Sequence, residues 1–319
     1  MKTALVTGGA GFIGSHVADA LLRAGLDKVK VYDNFRSGQR LYTDALRGNP
    51  AYELIEADVL DLSALKTAME GVDAVFHFQA NADVRGGIEN RRIDLEQNTI
   101  ATWNALEAAA HAKAKHFVFA SSATVFGEPD VFPTPETYPS IQTSLYGASK
   151  LAGEAMIQAY CEYTGMRGSM FRFVSWVGPR YSHGVIFDFF KKLRKNPTKL
   201  QILGNGKQRK SYLDVRDGVR AILSAVELHD QKSTVFNVGH DDFIPVTEVA
   251  AIICEEMGLD KVEYEFTGGD RGWIGDSPIV HLDTSRLKSL GWKPEIPIQD
   301  SVRDTIRFLI QNEASIVRD

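Results

Sequence analysis

Nine residues near the start of the chain, "VTGGAGFIG" from Val6 to Gly14, constrain it more than any other stretch. They follow a short apolar run, Ala4 to Val6, and precede apolar residues spaced by three and four at Phe12, Ile13, Val17, Leu21 and Leu22. That pattern predicts a strand, a glycine turn and a helix that stops at Gly25. Gly9, Gly11 and Gly14 fit G-x-G-x-x-G, while Thr7, Gly8, Gly11 and Gly14 fit T-G-x-x-G-x-x-G. Glycines here allow a tight turn and a close backbone approach to a pyrophosphate, toward which the helix aims its first amides. A turn with no ligand could use the same glycines, but the strand before and the helix after favour dinucleotide binding.

A second strand, "KVKVYD", ends at Asp33, 19 residues past Gly14. A carboxylate there holds ribose hydroxyls and repels a 2'-phosphate, so NAD is expected rather than NADP. Arg36 and Arg40 nearby point the other way. Asp58, at the end of "YELIEAD", either touches the adenine or caps the next helix.

Further strands are predicted at "DAVFHF", "HFVFASS" and "GSMFRFV", six in all, alternating with helices over Leu62 to Met69, Asp94 to Ala112 and Ser149 to Gly165. This alternation predicts an α/β fold: a Rossmann-type, doubly wound parallel sheet covered on both faces. After residue 178 the rhythm loosens. Helices over Phe187 to Arg194, Val215 to Glu227, Thr247 to Met257 and Ser301 to Asn312 alternate with short extended pieces. The expected division is a NAD-binding domain at 1–178 and a smaller mixed α/β substrate domain at 179–319, with some chain crossing back to the sheet.

With 319 residues, 44% of them hydrophobic, the chain can bury a substantial core. A net charge of -5 gives no basic footprint, so nucleic acid is not an expected partner. Cys161 and Cys254 form neither a metal pattern nor a disulfide framework, and no metal site is expected. No run has the length of a membrane span, and Met1-Lys2 leads directly into a strand, so a cytoplasmic location is expected.

"YGASK" places Tyr146 and Lys150 four residues apart on a helix that starts near Ser144. A free phenol titrates near 10, and a working base at neutral pH needs a downward shift of roughly 3 units, about 4 kcal/mol. One ammonium about 4 Å away, at an effective dielectric of ~20, supplies an interaction of that size. Tyr-x-x-x-Lys alone is a weak motif. It gains weight because it follows the fifth strand, whose end "ASSATVFG" offers Ser121, Ser122 and Thr124 at the carboxyl edge where such sheets bind ligands.

At these residues the chain resembles the extended short-chain dehydrogenase/reductases. Within them it is most similar to the sugar-nucleotide epimerases and dehydratases, UDP-glucose 4-epimerases above all. "TGGAGFIGSH", "VYDNFRSG", "HFQANADVR", "NTIATWNALEAA", "FASSATVFG", "YGASK", "FRFVSWVGPR", "GNGKQRKSYLDVRD", "FNVG" and "LGWKP" carry the resemblance over almost the whole chain.

The resemblance implies epimerisation at C4 of a nucleotide-diphosphate hexose, of UDP-glucose/UDP-galactose type and possible with an N-acetyl group, with NAD kept bound. Tyr146 would take the proton of the C4 hydroxyl, Lys150 would hold the ribose and lower the phenol's pKa, and Ser122 would orient the hydroxyl. The cofactor groove implied comprises Gly8, Gly11, Phe12, Ile13, Gly14, Asp33, Asn34, Ser37, Gly38, Asp58, Val59, Phe78, Gln79, Ala80 and Asn98, with Tyr146 and Lys150. Asn98 matches a position that supports the active-site backbone. Substrate contacts are implied for Ser122, Thr124, Ser175, His183, Val185, Arg209 and Arg271, the last matching a diphosphate-binding arginine, with Lys210 a further candidate. The apolar outer faces of the Asn98 and Tyr146 helices imply a homodimer, or else face the sheet.

Dehydratases and decarboxylases of this resemblance carry an acidic residue in the serine turn; Ser122, Ala123 and Thr124 offer none, which favours epimerisation. Ser175 stands in place of a usual Asn, Gln79 of an Ala, and Ala82 of a Lys whose loss Arg85 could offset. Val280 matches a position that narrows the sugar pocket, where a valine leaves room for an N-acetyl group. Rival expectations are a dehydratase or reductase of the same resemblance, a CDP-sugar 2-epimerase, a uronate 4-epimerase, or a dinucleotide-sensing protein without catalysis.

Overall fold

The computed structural model describes residues 1–272 and 277–316. Its centre is a seven-stranded sheet. In chain order the strands are β1 (Thr3–Thr7), β2 (Lys28–Asp33), β3 (Tyr52–Glu56), β4 (Ala74–His77), β5 (His116–Ser122), β6 (Arg167–Phe173) and β7 (Ser233–Val238). They lie side by side as β7-β6-β5-β4-β1-β2-β3, every pair parallel. The run of strands reverses direction between β1 and β4, and that crevice is where open parallel sheets bind ligands.

Two apolar clusters cover the faces. One holds Leu5, Val75, Phe117, Phe119 and Met170 against the helices Leu62–Met69 and Ala101–His111. The other holds Val6, Val31, Phe76, Val118, Phe171 and Phe236 and continues into the C-terminal region. Successive residues of one strand point to opposite clusters, as Leu5 and Val6 do, which explains the continuous apolar runs.

The sheet has one strand more than the six expected. "STVFNV" is short and interrupted by Thr234 and Asn237, so its sequence does not stand out as a buried strand. It pairs with β6 from Ser233↔Gly168 to Val238↔Phe173. The chain beyond residue 178 therefore supplies a strand of the main sheet. The rest of that region includes the helices Val185–Lys195, Val215–Leu228, Val246–Glu256 and Ile298–Gln311, with small sheets that join Ser175–Val177 to Tyr212–Asp214 and Lys199–Ile202 to Glu263–Phe266.

The long helix expected from Asp94 opens instead as a π-helix, Leu95–Ile100, and turns α-helical at Ala101. Wide turns of this kind occur mostly where function asks for an off-register side chain. The Tyr146 helix spans Leu145–Thr164; Ser144 Oγ accepts from the Gly147 amide at 3.0 Å, and Gly165 closes it in the left-handed region. Cys161 and Cys254 are buried free thiols.

Candidate active site

The glycine turn sits at the carboxyl end of β1, pressed against the residues that leave β4. A Cβ on Gly8 would lie 2.7 Å from the Gln79 amide nitrogen, and one on Gly14 would lie 2.2 Å from the Gly8 carbonyl oxygen. Only glycine allows this turn to close, which leaves the amides that open the helix Phe12–Arg23 facing the crevice. Phe78 and Gln79, which leave β4, are the residues pressed against Gly8, and Ala80 follows them.

Asp33 ends β2 and is 8% exposed. Its Oδ2 accepts from the Ala10 amide at 3.0 Å and its Oδ1 from the Phe35 amide at 2.8 Å. Burial raises its pKa, which these two amides partly offset. Gly38 packs against it, where a Cβ would stand 2.8 Å from Oδ1. Arg40 is drawn aside: its guanidinium binds both oxygens of Glu56 at 2.8 Å and covers the Phe35 ring. Asn34 and Ser37 lie exposed at the rim, and Asn34 Nδ2 donates to Asp58 Oδ2 at 2.8 Å. The helix after β3 is capped by Asp61, whose Oδ1 accepts from the Ala64 amide at 3.0 Å, so Asp58 is not its cap. Val59 is buried beside it.

Ser122 closes β5 and Thr124 follows on a short 3-10 turn, Ala123–Phe126. The Thr124 hydroxyl and amide both donate to Ser122 Oγ, at 3.0 and 3.2 Å. Neighbouring Ser121 points the other way and donates to Glu154 Oε1 at 2.5 Å. Glu154 forms a buried two-point ion pair with Arg172, at 3.0 and 2.8 Å. Glu154 stands one helical turn beyond Lys150, so the Tyr146 helix is pinned to β5 and β6 just behind the serine turn.

Tyr146 is half-buried, with Lys150 one turn further on and 2% exposed. The Lys150 ammonium lies 5.7 Å from the Tyr146 ring centre and 5.0 Å from that of Phe119. It has no hydrogen bond or ion pair among the described residues. The protein's own groups do not lower the phenol on balance. Loss of water pushes Tyr146 up to about 12, against a bond to Ser122 that pulls it down, and Asp94 adds to the rise. The same loss of water pushes Lys150 down to about 7, which Asp94 opposes.

Asp94, Asn81, Ser149, Glu154 and Arg172 escaped the sequence reading. Asn98 is 2% exposed; its Nδ2 donates to Ser149 Oγ at 2.9 Å and its Oδ1 accepts from the Asn81 amide at 2.8 Å. The four-residue step from Asp94 to Asn98, and again from Lys150 to Glu154, was the available signal.

The substrate-side residues are more scattered. Ser175, His183, Arg209 and Arg271 are exposed, Val185 opens its helix, and His183 stacks on Tyr181 at 5.7 Å. Arg271 is paired with Glu128, two residues past the serine turn, at 2.6 Å, and Arg209 lies over the Phe243 ring. Lys210 pairs in strand register with Ile244 and Val280. Trp273, which follows this glycine-rich loop, lies outside the described residues.

A glycine turn at a topological switch point, a ribose-reaching acid and a Ser-Tyr-Lys set at the same edge define a dinucleotide-dependent enzyme of the extended short-chain dehydrogenase/reductase type. Residues 4–239 match the model of the NAD dependent epimerase/dehydratase family, and the chain belongs to that family. It is similar to a solved UDP-galactose 4-epimerase, with 40% identity, a TM-score of 0.86 and coverage of 97% of this chain and 99% of that one. The UDP-glucose 4-epimerase of Thermotoga maritima, solved with UDP-glucose, matches at 30% identity and a TM-score of 0.87 over the same shares. The UDP-glucuronic acid 4-epimerase of Bacillus cereus, solved with UDP-glucuronic acid and NAD, matches at 25% and 0.88, again over 97% and 99%. Relatives with other chemistry include UDP-glucuronic acid decarboxylases and a dTDP-glucose 4,6-dehydratase. The family is NAD-dependent, and a buried lysine ammonium with no hydrogen bond or ion pair among the described residues suits that cofactor.

Proposed function

We propose that the chain interconverts the C4 epimers of a nucleotide-diphosphate hexose, of the UDP-glucose and UDP-galactose type. The observation that carries this reading is the convergence of Ser122, Tyr146 and Lys150 at the β5 edge, in a serine turn with no carboxylate. Bound NAD supplies a hydride acceptor that becomes the donor of the return step. Tyr146 Oη takes the proton of the sugar O4 as the C4–H bond breaks, leaving a 4-keto sugar, and returns it to O4 after the sugar has turned its other face. Ser122 Oγ holds O4 in line, with Thr124 fixing the serine rotamer. Lys150 Nζ holds the ribose hydroxyls and favours the phenolate. Gly8, Gly11, Phe12, Ile13 and Gly14 hold the pyrophosphate. Asp33, Asn34, Ser37 and Gly38 hold the adenosine ribose, Asp58 and Val59 the adenine, and Phe78, Gln79, Ala80 and Asn98 the nicotinamide side.

Residues 1–178 form the NAD-binding part and 179–319 mainly the nucleotide-sugar part. Arg271, Arg209 and Lys210 meet the diphosphate, with Ser175, His183 and Val185 around the sugar and base, while Val280 leaves room for an N-acetyl group. Anchoring by the distant diphosphate leaves the sugar free to turn. The enzyme is expected to work as a cytoplasmic homodimer.

The test is to incubate the purified enzyme separately with UDP-glucose, UDP-N-acetylglucosamine and UDP-glucuronate and to follow C4 by NMR. C4 epimers with no added NAD and no NADH released support the reading. Stoichiometric consumption of cofactor, or loss of water or carbon dioxide, contradicts it.

A further inference from the structure

The carboxylate of Asp94 is 1% exposed and only half satisfied. Its Oδ1 accepts from Asn81 Nδ2 at 2.9 Å and from Asn98 Nδ2 at 3.1 Å. Asn98 Nδ2 also reaches Ser149 Oγ at 2.9 Å, and Ser149 Oγ donates to the Tyr146 carbonyl at 2.7 Å. The chain of contacts runs from the carboxylate to the backbone of the tyrosine. Oδ2, by contrast, is buried with no hydrogen-bond partner among the described residues. Gly87 makes room for it: a Cβ there would lie 2.6 Å from that oxygen.

An anchor needs only Oδ1, and the amide oxygen of an asparagine would accept the same two bonds. The buried, half-paired charge is a cost that anchoring does not explain. We propose that Asp94 is a positioning residue of this site, a buried carboxylate that holds the Tyr146 turn through Asn98 and Ser149 and sets the charge of the Tyr146–Lys150 pair. The proposal rests on the reading of that pair as the acid-base couple.

The charged and titratable groups facing Asp94 are few. Tyr146 and Lys150 come from the long helix and Asp83 from the loop after β4. Arg92 and Glu96 pair with each other, exposed, on its own helix and the turn before it. His77, which feels the Lys150 charge, is held neutral by burial, down to about 3. Tyr146 and Lys150 exchange protons as a couple, so the pH at which the first proton leaves belongs to both. That step takes the pair from one positive charge to none. A fixed negative neighbour favours the protonated state wherever the proton sits, so Asp94 raises the pH of the step. Burial drives Lys150 toward neutrality, and Asp94 keeps it an ammonium able to act on the phenol.

The test compares NAD-loaded wild type with Asp94→Asn and Asp94→Glu. The tyrosinate absorbance of Tyr146 is isolated by subtracting Tyr146→Phe in each background. In Asp94→Asn the Tyr146 step is expected to fall by about one pH unit, with the acidic limb of kcat moving alike and KM for the nucleotide sugar unchanged. Asp94→Glu, which keeps the charge, is expected to titrate as wild type does. Should Asp94→Asn not fold, the smaller neutral Asp94→Ser reads the same shift. A step that stays in place or rises in the neutral variants, or one that moves equally in Asp94→Glu, overturns the proposal. The absorbance titration needs no turnover, so it stands even if none of the tested sugars is a substrate.

Discussion

Tyr146 and Lys150 are each driven by burial toward their neutral forms, to about 12 and about 7. Their own surroundings therefore make a poor base, and in the proposed mechanism the positive nicotinium ring would be the added charge that lowers the phenol. Tyr146→Phe removes the proposed proton acceptor and leaves the glycine turn untouched. It should lower kcat by about 10²–10⁴-fold while the protein still carries NAD, as read by steady-state assay and by cofactor content after denaturation. The glycines, Asp33, Tyr146 and Lys150 were legible in the sequence because spacing along one turn or helix is what defines them. Asp94 and Asn81 were not, because only the π-helical turn and the loop after β4 bring them to the tyrosine.

The Tyr146 helix is tied to the sheet by Glu154 and Arg172, whose side chains are 3% and 7% exposed. Glu154→Gln leaves the guanidinium buried without its countercharge, and should cost about 3–5 kcal/mol in denaturant unfolding. At the opposite end of the strands, His116 and His229 share the Ser169 hydroxyl at 2.7 and 2.6 Å. Burial lowers His116 and His77 to about 3 and His16 to about 4. An unfolded histidine titrates near 6.5, so the unfolded chain binds more protons below that pH. The contribution of these histidines to stability should be level above about pH 6.5 and fall as pH drops toward 4, by up to about 1.4 kcal/mol per unit for each residue. Thermal unfolding across that range reads it, and His116→Gln should flatten the slope. Six of the seven sheet strands were readable from apolar runs. β7 was not, because Thr234 and Asn237 break its pattern and only β6 beside it defines it as a strand.

For the whole molecule, the two helices that flank the site carry exposed apolar residues on their outer faces. Ile100 and Trp103 are 41% exposed on one and Tyr163 82% on the other. Light scattering should give twice the chain mass of 35.3 kDa, and charged substitutions at Trp103 and Tyr163 should halve it. The alternation of strands and helices made the sheet legible at this scale. The return of residues 233–238 to its edge depends on contacts distant in sequence. In the proposed reaction one hydride leaves C4 and comes back to the same carbon while Tyr146 moves the proton. The most direct measurement is NMR of UDP-glucose deuterated at C4 after incubation with the purified enzyme. Deuterium retained at C4 of the UDP-galactose formed is the predicted result; an epimer whose C4 has exchanged with solvent, or no epimer at all, contradicts it.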